Sequence, residues 1–248
     1  MKFRPCIDIH DGKVKQIVGS SLKDNNEATT NFVSSESPAF YADLYHDDGL
    51  TGGHVIMLGK GNEAAAEEAL GRHPGEMQVG GGITPENAKR WLDAGAAKII
   101  VTSWIFPDSG FSIERLRQIS NCVGGDRLVV DLSCVPVDGK YIVAYNRWQT
   151  LSKLNVNSET FGLMAKYCGE FLVHAVSIEG KQNGPDVELV KLLATQCPEC
   201  VTYAGGIRNL SDISDIQSVG NDRVDFTIGS ALDIFGGTLP YKDVVAFC

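Results

Sequence analysis

The chain has 248 residues, 43% of them hydrophobic, and a formal net charge of -9. That charge argues against a nucleic-acid surface or an anionic membrane as partner. Small phosphorylated ligands stay open, because backbone N–H groups hold phosphate without Lys or Arg. There is no apolar run of the roughly 18 residues that a membrane span needs. The first residues lead straight into a strand and lack the profile of a signal or transit peptide, so a cytoplasmic protein is expected. Seven cysteines lie scattered at positions 6, 122, 134, 168, 197, 200 and 248. The one close pair, Cys197-Pro-Glu-Cys200, has no second pair to complete a zinc site, and unpaired thiols are the favoured reading.

In chain order, short apolar runs alternate eight times with amphipathic stretches. Strands are expected near 3–9, 53–58, 76–80, 98–103, 127–133, 170–177, 200–204 and 223–229. Helices are expected near 38–47, 62–71, 85–94, 112–120, 158–168, 186–196, 210–218 and 240–247. Thr84-Pro85-Glu86 supplies a cap, a proline at the first helical position and an early acidic residue, and Gly95 stops that helix. Pro185-Asp186 opens the sixth helix in the same way. Eight βα units without a G-x-G-x-x-G after the first strand predict a closed α/β barrel of the (β/α)8 kind rather than a doubly wound sheet. Two connections, Ser20 to Ser37 and Cys134 to Val156, exceed ordinary βα loops and should overhang the C-terminal mouth.

The two halves of the chain resemble each other. Asp8 in CIDI precedes Asp131 in VVDL by 123 residues. Gly81-Gly82-Ile83 precedes Gly205-Gly206-Ile207 by 124, and Thr102-Ser103 precedes Gly229-Ser230 by 127. Such a period reads as two duplicated half-barrels, approximately 1–125 and 126–248, that close on each other within one domain. Asp8 and Asp131 then face each other from the first and fifth strands, with a glycine-rich phosphate cradle on either side. A long substrate with two phosphates follows from that layout.

Paired carboxylates across a pocket divide acid and base roles when their surroundings push their pKa values apart. The blander reading, two aspartates bracing their own loops, is weakened by their symmetry. Trp148 on the fifth loop reads as a lid anchor or as a flat face for a heteroaromatic ring. Arg147 beside it, and Arg208 after the second GGI, are candidates for phosphate; the alternative for Arg147 is simple solvation. His174, near the end of the sixth strand, is divided between core packing and a place at the mouth. His10 shares the side of the strand that carries Asp8 and is a candidate to orient it. Lys13 and Lys15 read as solvated charges.

The stretches CIDIHDGKVKQIVG, QVGGGIT, VVDLS, YNRWQ, YAGGIRNLSD and TIGSALDIF together resemble the ProFAR isomerase family of histidine biosynthesis, most closely its eukaryotic branch. The resemblance spans essentially the whole chain. It implies a duplicated half-barrel, an Amadori rearrangement of an aminoaldose to an aminoketose, and no metal or organic cofactor. It also implies Asp8 as general base, Asp131 as general acid, Trp148 stacked on an imidazole, and two phosphate sites at the GGI, Thr102-Ser103 and Gly229-Ser230 turns. The nearest rival is the cyclase subunit of imidazole glycerol phosphate synthase, which shares the aspartates and cradles but needs a glutaminase. A catalytically silent sugar-phosphate-binding barrel is the rival of another class. No oligomerisation segment is evident, and a monomer is expected.

Overall fold

The computed structural model describes residues 1–17, 30–146, 148–178 and 183–248. Eight of its strands run parallel: β1 (Cys6–His10), β4 (His54–Met57), β5 (Gln78–Gly80), β6 (Lys98–Val101), β7 (Leu128–Val137), β10 (Glu170–Ala175), β11 (Cys200–Ala204) and β12 (Val224–Thr227). Each follows its predecessor in the sheet. The two ends of this path meet at a parallel bridge between Phe3 and Phe226. There the Arg4 N–H donates to Phe226 O at 2.8 Å, and the Phe226 N–H donates to Lys2 O at 3.0 Å. The sheet is thus a (β/α)8 barrel, as expected from the alternation of elements.

Helices α1 (Pro38–Asp47), α2 (Glu63–Arg72), α3 (Pro85–Asp93), α4 (Ile113–Val123), α5 (Ser158–Met164), α6 (Val187–Gln196), α7 (Leu210–Gly220) and α8 (Tyr241–Phe247) cover the outside. Several start where their capping residues require. Pro85 occupies the first position of α3, and the Thr84 N–H donates to Asn87 Oδ1 at 2.9 Å. Asp186 caps α6 by accepting from the Leu189 N–H at 3.1 Å. Each such cap is worth about 1 kcal/mol.

Period-two alternation sorts the strand side chains into two cores. Ile7, Ile9, Val55, Val79, Ile99, Val130, Leu132, Phe171 and Val173 point outward and pack beneath the helices. Ile56, Ile100, Val129, Leu172 and Ala204 form a separate cluster inside the barrel. At the N-terminal ends of the strands the interior is charged. Arg4 pairs with Asp225 at 2.8 Å, Lys98 with Glu170 at 2.7 Å, and Gln78 Nε2 donates to the other Glu170 oxygen at 2.8 Å. Apolar residues and these pairs plug the lower barrel and leave its C-terminal end open.

The two long connections, expected to overhang the mouth, carry strands of their own. After β1 the chain turns back at once as β2 (Lys13–Ile17), antiparallel to β1 and to β3 (Thr30–Val33). Residues 18–29, which include the first part of the first predicted loop, lie outside the described residues. The second predicted loop is an antiparallel sheet: β7 runs on to Val137 and pairs with β8 (Lys140–Tyr145), which pairs with β9 (Thr150–Asn155). Both hairpins turn on an Asp-Gly pair with positive φ at both residues, Asp11 at 52° with Gly12 at 70°, and Asp138 at 48° with Gly139 at 74°. That geometry matches the right-handed twist of the strands it joins.

Candidate functional site

A cavity of about 580 Å³ opens at the C-terminal ends of the parallel strands. Asp8 and Asp131 both line it. They sit on the first and fifth of the eight parallel strands, on opposite walls. Asp8 points inward because its neighbours Ile7 and Ile9 are wholly buried on the outer face. Its carboxyl lies deep among barrel atoms, and this desolvation pushes its pKa up to about 6. The shift would be greater without an amide donor: Gln16 Nε2 donates to Asp8 Oδ2 at 2.9 Å. Charge on His174 acts in the same downward direction.

Asp131 has both oxygens engaged. Oδ2 accepts from the Thr102 hydroxyl at 2.9 Å, and Oδ1 lies 2.8 Å from His174 Nδ1. His174 therefore belongs to the site, resolving the division between core and mouth in favour of the mouth. Thr102, expected at a phosphate, is committed to the carboxylate instead. Deeper in the cavity lies His54, whose burial, followed by the nearby His174, lowers its pKa to about 3. It is a neutral imidazole at working pH.

Gly82, Ser103, Gly205, Gly206, Gly229 and Ser230 all line the cavity. Gly81 stands just behind Gly82, where a Cβ would run into the Met57 carbonyl. Gly206, at φ 75°, has the Gly184 carbonyl in the place of a Cβ. The turns therefore need glycine for space as well as for conformation. The helix start after the second GGI is not a bare phosphate cradle. Asn209 caps α7 by accepting from the Asp212 N–H at 3.0 Å. Arg208, expected to reach phosphate, does not line the cavity; its guanidinium grips Asp212 through two bonds of 2.9 Å. Asp212 is buried and needs that partner.

His10 also differs from expectation. It is buried but turns to Asp11 at 2.8 Å and lies 3.3 Å from Lys15 Nζ, leaving Gln16 as the side chain that holds Asp8. Lys15, expected to be solvated, pairs with Asp11 at 2.7 Å.

The β8–β9 turn carries Trp148 to the cavity wall at φ 67°. A bulky residue in that region is uncommon and costs roughly 1–3 kcal/mol, a cost more often met at functional positions. The hairpin beneath it is anchored on two sides. The Tyr145 ring stacks on Phe106 at 5.4 Å, and the Tyr141 hydroxyl donates to Asp186 at 2.6 Å. Arg147 falls outside the described residues.

Sequence reading took Val14 to Val18 as an extended piece but missed Gln16, the pairing of that piece with the first strand, and the second hairpin. The signal was present: Asp-Gly flanked by alternating apolar residues marks a two-residue turn at Asp11-Gly12 and again at Asp138-Gly139. Once the first turn is placed, Gln16 lies on a strand folded back beside β1.

Comparison with known proteins agrees with the geometry. A family profile described as "Histidine biosynthesis protein" matches residues 2–239. A Medicago truncatula protein named 1-(5-phosphoribosyl)-5-((5-phosphoribosylamino)methylideneamino)imidazole-4-carboxamide isomerase, chloroplastic, is 50% identical over 100% of this chain and 81% of its own length. A Yarrowia lipolytica isomerase of the same name is 49% identical over 95% of this chain and 93% of its own. The Saccharomyces cerevisiae isomerase of that name is 46% identical, covering 96% and 94% of the two chains. Among the described residues no helix is long and apolar enough to cross a membrane. The chain belongs to the histidine biosynthesis protein family, on the ProFAR isomerase branch that these plant and fungal relatives represent.

Proposed function

We propose that this protein isomerises the aminoaldose ProFAR to the aminoketose PRFAR, with Asp8 and Asp131 as the acid–base pair. The observation that carries the reading is the placement of two inward carboxylates on opposite walls of one cavity, each in a different environment. Asp8 is desolvated, and a base with a pKa near 6 is ionised at neutral pH yet basic enough to take a carbon-bound proton. Asp131 accepts from the Thr102 hydroxyl and lies 2.8 Å from His174 Nδ1, contacts that hold its carboxyl in one orientation toward the substrate oxygen.

The steps balance within one substrate molecule. Asp131 protonates the ribose ring oxygen, the C1–O bond breaks, and a protonated Schiff base forms at C1. Asp8 then removes the C2 proton, and the electron pair moves to give the enolamine. Protonation at C1 and loss of the C2 hydroxyl proton complete the ketone. The oxidation at C2 is matched by the reduction at C1, so no external oxidant or reductant enters. Trp148 offers a flat face to the imidazole, and the turns at Gly82-Ser103 and Gly206-Gly229-Ser230 offer backbone N–H groups to the two phosphates. The 123-residue offset between the aspartates supports an origin by half-barrel duplication.

The test is the spectroscopic isomerase assay on purified protein. Formation of the aminoketose without ammonia is the expected result. Cleavage of PRFAR with ammonia would point to cyclase chemistry, and tight binding of ProFAR without turnover to a silent barrel.

A further inference from the structure

We propose that Gln16 is the positioning residue for Asp8, and that position 229 is glycine because the Gln16 side chain occupies the place of its Cβ. The proposal rests on the reading of Asp8 as the base and assigns the residues that set its orientation.

Three observations converge. Gln16 is only 5% exposed, a cost for an amide unless its hydrogen-bonding groups are used. Its Nε2 donates to Asp8 Oδ2 at 2.9 Å, and the two residues, eight apart in the chain, meet because the Asp11-Gly12 turn folds β2 back on β1. At Gly229 the φ angle lies outside the left-handed region, so the backbone there does not demand glycine. The space is taken by Gln16: a Cβ would meet its Oε1 and fall 3.2 Å from Cδ and 3.6 Å from Nε2, so a larger residue would push the amide off Asp8. The loop after the last parallel strand therefore fixes the amide from one side while Asp8 holds it from the other.

The residue type also follows from the chemistry. A Lys or Arg beside a buried carboxylate typically lowers its pKa by about 1–3. Such a cation would leave Asp8 a weak base. A neutral amide gives one directed N–H bond, to Asp8 Oδ2, and orients the carboxylate without adding a charge. Without that donor, burial would hold the Asp8 pKa higher still.

The experiment is a double-mutant cycle of Gln16→Leu and Gly229→Ala, read by kinetics and by ¹³C NMR titration of the Asp8 carboxyl. Gln16→Leu is expected to lower kcat roughly tenfold to a hundredfold with KM changed less than about threefold, the scale of one lost hydrogen bond to a charged group. The acid limb of the pH profile and the Asp8 titration should both move to higher pH, by about tenfold in proton affinity. Gly229→Ala should move the same titration in the same direction. The double variant should titrate no higher than the more affected single variant, because both act through one side chain. Gln16→Met serves as a second variant if the leucine lowers the melting temperature.

Unchanged titration of Asp8 in the Gln16 variants overturns the positioning role whatever the kinetics show. Additive shifts from Gln16→Leu and Gly229→Ala overturn the steric link between them. If the wild type failed to turn over ProFAR yet its Asp8 titration moved as expected, the positioning would stand and the isomerase reading would fall.

Discussion

His174 Nδ1 lies 2.8 Å from Asp131 Oδ1, across the neighbouring strands β10 and β7. The register pairs His174 with Ser133 and Leu172 with Asp131, so the contact runs diagonally along the inner face. With Thr102 on the second oxygen, the carboxyl of Asp131 has one defined orientation. His174→Ala should therefore lower kcat by about 10- to 100-fold, while Thr102→Val should cost less because His174 still holds the group. Single-turnover rates compared at matched folded fraction check this. A wild-type rate in His174→Ala would remove the imidazole from the mechanism.

Asp8→Asn and Asp131→Asn should each reduce isomerisation by about 10²–10⁴-fold, the range typical of one acid–base group. Circular dichroism should show an intact barrel in both. The two variants are expected to differ in stability, for the following reason.

The buried Asp8 carboxyl has a folded pKa of about 6 against an ordinary value of 3.8. A raised folded pKa means that the native state binds the proton more tightly than the unfolded chain. Its favourable contribution is fully present below pH 3.8 and is lost as pH rises through about 6. At neutral pH the ionised group costs the fold on the order of 2–3 kcal/mol. Asp8→Asn should consequently raise the melting temperature at pH 7 to 8, with the gain shrinking toward pH 4. The same titration predicts that kcat/KM of the wild type falls below about pH 6 as the base is protonated. A pH-independent gain in Asp8→Asn, from calorimetry at several pH values, would contradict the desolvated carboxylate.

Trp148 is the aromatic residue that the β8–β9 turn carries to the cavity wall. Substrate should quench its fluorescence, and Trp148→Phe should abolish most of that quenching while keeping a stacking face. Trp148→Ala should lower kcat/KM by about 5- to 100-fold, since base–aromatic stacking is worth about 1–3 kcal/mol. Titration of fluorescence with substrate, set beside steady-state kinetics, separates stacking from a purely structural anchor.

At the closed end of the barrel, Glu170 is the acceptor for both Lys98 and Gln78 and is nearly inaccessible. Glu170→Ala should destabilise the protein by about 1–3 kcal/mol because it leaves the buried Gln78 amide without its acceptor, while Lys98, 30% exposed, keeps access to water. Chemical denaturation gives the value. Catalysis at the far end should be nearly unchanged at temperatures where the variant is folded.

Local pattern determined much of this protein. Alternating apolar runs placed the eight parallel strands, Thr84-Pro85 and Pro185-Asp186 placed helix starts, and the 123-residue offset paired Asp8 with Asp131. These follow from short-range geometry, in which side-chain direction is set by the period of the element. The Asp-Gly turns at Asp11 and Asp138 were equally local, yet the segment after Asp138 read as part of a loop because its strands are short and partly polar. Partner choice was a different matter. Thr102 and His174 reach Asp131 from 29 and 43 residues away, and Glu170 meets Gln78 across 92. Arg208 turned to Asp212 because a buried carboxylate competes for the nearest cation more strongly than an open cavity does. Gln16 and Gly229 meet only where the last parallel strand closes against the first. Such contacts depend on barrel register and closure, which fix distances between remote side chains that no local period encodes.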